Sequence, residues 1–416
     1  MLIANAISGV AQGMSMIAIP WYFAQHDALS HFGVIYFMTN IVSMVWVPLS
    51  GSLIDKYDRK KVFLLLTVVV GLIIGGISLY GLSLGVLPMW IVGLVFAVTF
   101  LNYNIHYPCL YAFVQEITEK EKYAKMTSII EVIGQFTTII AGAGATLLLE
   151  GTEGGILNVF GFPIEVGIDI KAWKIHEIFM IDGLTYFAAF LIILGIKYVP
   201  ISERKLEKGS LKTRLKTGLA FLNKETPILW FGALSFTVFV AVLLEAFYLG
   251  ASYVKNHLHE SGDIYANSKI TYSIGAICAG LCMRYIFRKM NIPKAVIIMT
   301  FVTTLLFMVL SQTKSIYILF IMMLILGITN AGVRIARITY LFRVVPNQLF
   351  GRVGSVLFLY NIILRILLLG LFSLAFFQYL NNIIYAYLIT AGILFLATIL
   401  LIIHYRTFDL SLETNR

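Results

Sequence analysis

The fold is decided by a charged stretch that reads Gly51-Ser52-Leu53-Ile54-Asp55-Lys56-Tyr57-Asp58-Arg59-Lys60-Lys61. It lies between two long apolar segments and holds six charged residues, of which four are basic. Short loops on the cytosolic side of membrane proteins are rich in lysine and arginine. The stretch therefore predicts a cytosolic loop between two membrane-spanning helices, and the rest of the chain is interpreted outward from it.

The composition indicates a membrane protein. The chain has 416 residues, of which 59% are hydrophobic and 12% are charged, whereas about 25% of the residues of a soluble protein are charged. Apolar runs longer than the ~18 residues needed to cross a bilayer recur along the chain, and the short alternating segments of a membrane barrel do not occur. We predict an all-α polytopic membrane protein with twelve transmembrane helices.

The predicted spans are residues 2–25, 32–54, 61–83, 87–114, 126–149, 176–197, 227–250, 265–287, 292–312, 315–342, 353–378 and 382–404. Most of the 31 lysines and arginines fall in alternate loops that begin with the one at Lys56, or in the C-terminal tail. The opposite loops are assigned only Lys171, Lys174, Lys255, Lys269 and Lys314. This asymmetry predicts a protein of the cytoplasmic (inner) membrane with both termini in the cytosol. It also argues against a nucleic-acid partner, despite a net charge of +10.

The first span begins almost at Met1 without a basic flank. Two interpretations remain open, a naturally short terminus or a start site placed some residues too late, and we favour the second. A cleaved signal peptide is excluded because the charged n-region is absent and the span continues through Pro20 and Trp21.

The chain divides into two six-helix halves, residues 1–197 and 227–416, for which we expect pseudo-two-fold symmetry. Gly275–Lys289 is a degenerate counterpart of the opening stretch, and internal repeats of this kind are typical of transporters. In the linker, residues 198–226, basic and apolar residues alternate at helical spacing from Leu211 to Leu222. This pattern predicts an amphipathic helix on the cytosolic leaflet.

The loop 150–175 is long and rich in glycine, and Phe160-Gly161-Phe162-Pro163 predicts a turn. The flanking segments Ile156–Val159 and Ile164–Ile170 could pair as a small hairpin, or the loop could be irregular; the sequence favours neither.

The cysteines Cys109, Cys278 and Cys282 all fall in apolar segments, and we expect them to be small buried side chains. Cys278 and Cys282 share a helix face without a neighbouring histidine or acid, so no metal site is predicted. The sequence shows no nucleophile–base pair and no phosphate-binding loop. We therefore expect neither an enzyme nor a cofactor.

The opening stretch resembles the signature loop of the major facilitator superfamily, which lies between spans 2 and 3 of twelve, with Asp58 in place of the usual glycine. Further motifs resemble the drug-exporter branch that includes macrolide efflux pumps and siderophore exporters. They are Ala18-Ile19-Pro20-Trp21, Tyr107-Pro108 with Val114-Gln115-Glu116, Asp182-Gly183-Leu184-Thr185-Tyr186, and Val345-Pro346 with Gly351-Arg352-Val353. Span 5 departs from the pattern, because Gly142-Ala143-Gly144 stands where proton–drug antiporters have a Gly-Pro pair.

The resemblance implies a gate at the cytosolic helix ends. The residues assigned to it are Gly51, Asp55, Arg59, Lys60, Glu116 and Arg352. Arg59 would pair with Asp55 four residues before it or, following the family, with Glu116 at the end of span 4. Alternatively, these charges are only a topology signal, and Asp58 simply caps the third helix.

Ionisable residues inside spans are candidates for function, because a charge there costs at least ~2.5 kcal/mol. The chain has Glu131, Asp182, Glu245, Arg334, Arg337 and Arg365. Glu245 is the preferred proton carrier, whereas Glu131 could be interfacial and Asp182 could make a structural hydrogen bond. The arginines would bind an anionic substrate group or pair with Glu131 or another acid. Asn104 and His106 complete the set, with His106 either a proton shuttle or a structural hydrogen-bonded histidine.

These features predict a secondary active transporter that exports an amphipathic small molecule by alternating access, with proton-coupled antiport. Its partners would be that substrate, protons and the lipid bilayer, and we expect a monomer. One alternative is an exporter or flippase of an anionic lipid or siderophore. Another is a membrane receptor that kept the fold and lost transport.

Overall fold

A computed structural model of the chain describes residues 2–119, 122–152, 154–165, 167–198, 211–346, 349–379 and 381–414. Within these ranges, twelve helices are long and apolar enough to cross a membrane. The predicted all-α fold with twelve spans is therefore confirmed. Residues 199–210 of the predicted linker lie outside the described residues, as does the side chain of Asp55.

The elements follow one another in a simple order, with one hairpin between the fifth and sixth spans. In chain order they are α1 (Leu2–Gln25), α2 (Leu29–Lys56), α3 (Arg59–Leu84), α4 (Met89–Ile117), α5 (Tyr123–Glu150), β1 (Ile156–Val159), β2 (Phe162–Glu165), α6 (Ile175–Leu194), α7 (Leu211–Lys224), α8 (Thr226–Leu244), the π-helical segment π1 (Glu245–Leu249), α9 (Gly250–Ser252), the π-helical segment π2 (Tyr253–Leu258), α10 (Gly262–Lys289), α11 (Ile292–Leu310), α12 (Ile316–Val344), α13 (Phe350–Phe372), α14 (Ala375–Gln378), α15 (Ile383–Ile403) and α16 (Tyr405–Thr414).

The chain forms two compact units. Unit 1 comprises Met1–Glu207 and Glu260–Ile270, and unit 2 comprises Lys208–His259 and Thr271–Arg416. The first two turns of α10 thus group with unit 1, although the rest of this helix belongs to unit 2.

In unit 1, α1 packs against α5 and α6, α3 packs against α6, and α2 packs against α4. An aromatic cluster joins α2 to α4, where the buried Phe32 and Tyr36 meet Phe96 edge to face at centroid distances of 4.8 and 5.2 Å. Such edge-to-face pairs are favourable beyond the area that they bury. This cluster fixes α2, which leads into the charged stretch, against α4.

In unit 2, α11 packs against α12 and α15, while α8 contacts α12, α13 and α15. A close crossing joins α10 to α12 through two glycines. A β-carbon added at Gly275 would lie 1.9 Å from the carbonyl oxygen of Leu324, and one at Gly327 would lie 2.0 Å from that of Tyr272. Only glycine allows the two backbones to approach this closely.

Two details of the predicted topology are wrong. The seventh span continues through π1 and π2 to Leu258, so Lys255 is helical. The eighth helix begins at Gly262, so Lys269, which falls inside the predicted span 265–287 but was also assigned to a loop, is helical and 7% exposed. The seventh helix thus extends past Lys255, and the assignment of Lys269 to a loop is wrong.

The prediction for the cysteines is confirmed only for Cys109, which is buried, while Cys278 and Cys282 are exposed on α10. An apolar side chain on a membrane helix gains nothing by leaving the surface, because lipid is as apolar as the protein interior. The burial rule for soluble proteins therefore fails at these two positions.

The connecting segments also take defined structures. The predicted amphipathic helix forms as α7 and packs against α13, where a β-carbon at Gly218 would lie 2.5 Å from the carbonyl oxygen of Arg352. Strands β1 and β2 pair antiparallel, so the loop 150–175 contains a hairpin. The tail forms α16, which the sequence did not predict. Asn291 donates to the Tyr405 hydroxyl at 2.7 Å and to the Asp409 carboxylate at 2.9 Å, which docks α16 on the start of α11.

The Gly275 crossing predicts a large difference between two glycines of one helix. Gly275→Ala should destabilise the protein by about 1–3 kcal/mol, because the added methyl group overlaps backbone that cannot move alone. Gly280→Ala is the matched control, since its methyl group would meet no described atom within 4 Å. Thermal unfolding of the purified variants measures both, and equal melting temperatures would contradict the close crossing.

Candidate functional site

The charged stretch and the end of α4 form one cluster in unit 1, the α2–α3 charge cluster (Asp58, Arg59, Lys60 and Glu116). Asp58 caps α3 by accepting from the Lys61 backbone N–H at 3.0 Å. Arg59 Nη1 lies 3.0 Å from Glu116 Oε2, and the same atom donates to the carbonyl oxygen of Ala112. The pairing of Arg59 with Glu116 that the sequence predicted is therefore present. The Glu116 side chain is 3% exposed and that of Arg59 is 19% exposed.

Lys60 binds a different helix. Its Nζ donates to the carbonyl oxygens of Leu194 at 3.0 Å and Ile196 at 2.7 Å. Leu194 is the last residue of α6 and Ile196 lies two residues beyond it. Carbonyl groups at a helix C-terminus have no donor within the helix, so the lysine ammonium group supplies one. The charged stretch thus joins the ends of three helices, α3, α4 and α6.

Gly51 and Arg352 were also assigned to the gate. A β-carbon at Gly51 would meet no described atom within 4 Å, so no close approach requires glycine there. Arg352 lies near the start of α13, where its carbonyl faces Gly218 of α7. Arg352 belongs to unit 2, whereas the α2–α3 charge cluster belongs to unit 1.

The interior of unit 1 holds a buried acid beside a hydrogen-bonded pair. Asp182 is fully buried on α6, and Ser15 of α1 is the polar side chain beside it. The Ser15 hydroxyl is the candidate hydrogen-bond donor to this carboxylate, so the structural role of Asp182 stays a prediction. Tyr186, one turn further on, accepts from Asn102 of α4 at 3.2 Å.

Nearer the α2–α3 charge cluster, α4 presents several polar side chains. His106 Nε2 lies 2.6 Å from Asn5 Oδ1 of α1, which fits the structural histidine rather than a free shuttle. The amide nitrogen of Asn104 is buried without a described hydrogen-bond partner. Tyr111 donates to Glu131 of α5 at 2.6 Å, which places this acid against α4.

Unit 2 holds the candidate proton carrier at a break in helical geometry. Glu245 is 2% exposed and begins π1, where the chain leaves the α-helical hydrogen-bond pattern. Single π-helical turns inside helices are frequent at functional sites. The phenol of Tyr272 lies within electrostatic reach of both Glu245 and Arg334, and it accepts from Asn330 at 2.6 Å. Within unit 2, the Tyr272 phenol therefore has the carboxyl of Glu245, the guanidinium of Arg334 and the amide of Asn330 around it.

Arg337 lies one turn from Arg334 but has different surroundings. It is 5% exposed, and its Nη1 donates to the carbonyl oxygen of Ser235 at 3.1 Å. Its guanidinium carbon stacks 3.6 Å from the ring centroid of Phe236. Within the described part of unit 2, no carboxylate is in ion-pair contact with Arg337. A carbonyl dipole and a ring face hold this cation there instead of an acid.

Arg365 is 2% exposed on α13. One turn before it, Asn361 is fully buried, and neither its amide oxygen nor its amide nitrogen has a described hydrogen-bond partner.

The sequence interpretation missed three polar residues of unit 1. Lys269 lies 4.6 Å from the ring centroid of Tyr265, which in turn stacks on Trp21 of α1. Glu150 at the end of α5 accepts from the Gly262 backbone N–H at 2.7 Å. Asp263 is buried in the same first turn of α10. Tyr265 and Lys269 both fall inside the predicted span 265–287, and their four-residue spacing places the two side chains on one face of a helix.

In the described part of the chain, no group of three or more histidine, cysteine, aspartate or glutamate side chains is placed to hold a metal. The arrangement consists of spans with buried acids in both units and buried arginines in unit 2, which is typical of proteins that move ions or polar solutes through a membrane. The fold and these residues define a polytopic membrane transporter. The chain belongs to the Major Facilitator Superfamily, whose family model matches residues 1–368. By family it is a secondary transporter and not an enzyme.

Among curated proteins, the chain is similar to those named "Putative bacilysin exporter BacE". It is 27% identical to the protein from Bacillus amyloliquefaciens and 26% identical to that from Bacillus subtilis strain 168, each over 195 residues. The match covers 46% of this chain and 42% of each relative, less than half of their length. The homology to an exporter is distant.

Solved structures share the fold across almost the whole chain. The nucleoside transporter NupG superposes with a TM-score of 0.72 at 14% identity, covering 97% of this chain and 98% of NupG. A D-xylose–proton symporter gives 0.69 at 12% identity, and a bacterial homologue of the iron transporter ferroportin gives 0.66 at 14% identity; each match covers 96% of both chains. At these identities the likeness shows the fold alone.

The burial of the Arg59–Glu116 pair predicts its effect on stability. Glu116→Gln should destabilise the protein by roughly 3 kcal/mol, because it leaves the arginine partly buried without its counter-charge. Glu119→Gln is the matched control, since the Glu119–Lys122 pair is 70% and 63% exposed and contributes about 1 kcal/mol or less. Thermal unfolding measures both variants, and an equal loss in the two would contradict the buried pair.

Proposed function

We propose that the protein exports an amphipathic small molecule by alternating access and that proton entry drives the export. The observation that carries the proposal is the buried acid Glu245 at the start of π1, beside Tyr272 and Arg334. A carboxylate inside a span is costly, so it needs a role such as proton transfer.

The surroundings of Glu245 support this role. The π-helical turn that begins at this residue departs from the α-helical hydrogen-bond pattern, and such turns are frequent at functional sites. The phenol of Tyr272, within electrostatic reach of both Glu245 and Arg334, adds a polar group to the same part of unit 2.

The proposed direction of transport rests on the curated relatives, and the proposed membrane location of the protein rests on the distribution of its basic residues. The curated relatives are named as exporters. Basic residues are concentrated in alternate loops, which supports an inner-membrane protein with both termini in the cytosol. We further propose two six-helix halves, residues 1–197 and 227–416, that act as the moving bodies, with residues 198–226 as their linker, and a monomer as the functional state.

The α2–α3 charge cluster would act as a gate at the cytosolic helix ends. Arg59–Glu116 and the two Lys60 hydrogen bonds hold α3, α4 and α6 together in this structure. Breaking them would free the end of α3. Gly51, Asp55 and Arg352 belong to the proposed gate by resemblance to the family.

Within unit 1, substrate contacts would come from the buried Asp182 of α6 and from Asn104 of α4. Tyr103 and Tyr107 add an aromatic pair next to Asn104, with ring centroids 4.4 Å apart. Aromatic surface with a few polar groups suits an amphipathic ligand.

Glu245→Gln should abolish proton coupling while the protein still folds, because an amide cannot carry a proton at neutral pH. A thermal-shift screen of macrolides, siderophores, lysolipids and bacilysin first identifies a compound that raises the melting temperature of the purified protein. Proteoliposomes that contain a pH-sensitive dye then report the proton flux that this ligand causes. Glu225→Gln is the control, because Glu225 is exposed at the start of α8. Undiminished flux in the Glu245 variant would remove it as the carrier.

An anionic substrate, such as an acidic lipid or a siderophore, is the second candidate, and Arg337 favours it. This cation is buried and is held by a carbonyl oxygen and a ring rather than by an acid in the described part of unit 2. A buried cation without a counter-charge attracts an anionic group.

The two candidates predict opposite ligand preferences. If Arg337 binds the substrate, acidic lysolipids or siderophores should raise the melting temperature of the purified protein and cationic macrolides should not. Arg337→Gln should remove the shift, whereas Arg406→Gln, a change at an exposed arginine of α16, should retain it. Stabilisation by cationic macrolides alone would refute the anionic candidate.

A further inference from the structure

The hairpin between α5 and α6 has two unlike faces. Its register pairs Leu157 with Ile164 and Val159 with Phe162. Directly opposite residues of an antiparallel pair share a face, and so do residues two apart in one strand. These four apolar side chains therefore form one face, the apolar hairpin face.

The other face is mixed. It carries Ile156, Asn158, Pro163 and Glu165, which follow from the two remaining pairs of the register. Asn158 and Glu165 are both exposed. The hairpin is thus amphipathic, with its polar side chains on this face alone.

The apolar hairpin face is largely open. Phe162 is 60% exposed and Ile164 is 48% exposed, while Leu157 and Val159 are half-buried. An isolated two-stranded hairpin is at best marginally stable in water. A partner that covers this face would stabilise the hairpin and remove apolar surface from water.

The stem of the hairpin is fixed to the end of a membrane span. Thr152, two residues after α5, donates its backbone N–H to the carbonyl oxygen of Ile170 at 2.8 Å and its hydroxyl to that of Ile168 at 2.6 Å. The backbone N–H of Trp173 donates to the Leu148 carbonyl oxygen at 2.8 Å. Gly151 has φ +73°, and a β-carbon there would lie 2.4 Å from the Ile170 carbonyl oxygen, so glycine permits this close approach.

This stem places the hairpin at a membrane surface. Strand β1 starts six residues after the last residue of α5, which is a reach of at most about 20 Å. Lys174, just before α6, donates to the carbonyl oxygen of Gly85 at the end of α3 at 3.2 Å. Trp173 is 36% exposed between Lys171 and Lys174. Tryptophan and lysine at helix ends are typical of the bilayer interface.

We propose that the apolar hairpin face binds phospholipid in the leaflet at the ends of α5 and α6. On the two helices that flank the loop, Phe136 of α5 is 55% exposed and Leu184 of α6 is 59% exposed. A protein partner that adds a strand needs the strand edges rather than an apolar face. The exposed Ile168, at 61%, extends the apolar surface along the same loop. The hairpin thereby anchors the loop 150–175 to the bilayer.

Site-directed nitroxide labelling tests the proposal in the full chain. Cys278→Ala and Cys282→Ala remove the exposed thiols, and Cys109 is buried. Ile164→Cys probes the apolar hairpin face, and Asn158→Cys is the matched control on the opposite face of the same hairpin. Each labelled protein is placed in phosphatidylglycerol–phosphatidylcholine nanodiscs. Electron paramagnetic resonance measures collisions with oxygen, which concentrates in lipid, and with a water-soluble nickel chelate.

The label at position 164 should collide more with oxygen and less with the nickel chelate than the label at position 158. Phe162→Cys repeats the measurement on the same face, should the Ile164 variant fail to fold. Equal access of the nickel chelate to both faces would overturn the proposal, and so would shielding of position 164 from both probes, which indicates a protein cover. The measurement needs no substrate and is independent of the proposed export function.

Discussion

The hydrocarbon interior of the bilayer cannot solvate a charge or an open backbone group, and this constraint accounts for most of the structure. Helices satisfy the backbone, so the chain folds as twelve spans in the described residues. Ionisable side chains inside the spans turn away from the lipid: Asp182 is 0% exposed, Glu245 2% and Arg365 2%. Large apolar side chains such as Leu191, which is 65% exposed, form the outer surface.

The same constraint explains what the sequence could predict. Helix number follows from run length, because a run long enough to span must be helical. The pairing of Arg59 with Glu116 was expected from the resemblance of the charged stretch to the signature loop of the family, and the structure contains it. The cap by Asp58 depends on a neighbour three residues away, so it is local and visible in sequence. The roles of these residues in gating remain predictions.

Features that depend on packing were not predictable. The assignment of Lys269 to a loop is wrong although the residue falls inside the predicted span 265–287; its ammonium group lies against the aromatic face of Tyr265 within α10. The π-helical turn at Glu245 was not predicted from the sequence. The hairpin was left undecided because its stem is closed by Thr152 and Gly151, whose hydrogen bonds and backbone angle appear only in three dimensions.

The position of the charged groups along the helices separates helix-end contacts from interior candidates. Arg59, Lys60 and Glu116 join the ends of α3, α4 and α6 in this structure, so they stabilise these helix ends in one state. Asp182 and Glu245 lie inside spans, where a charge is costly, so folding alone gives little reason to retain them. A role in moving a proton or a substrate would give that reason, and the helix-end cluster needs no such role to account for its charges.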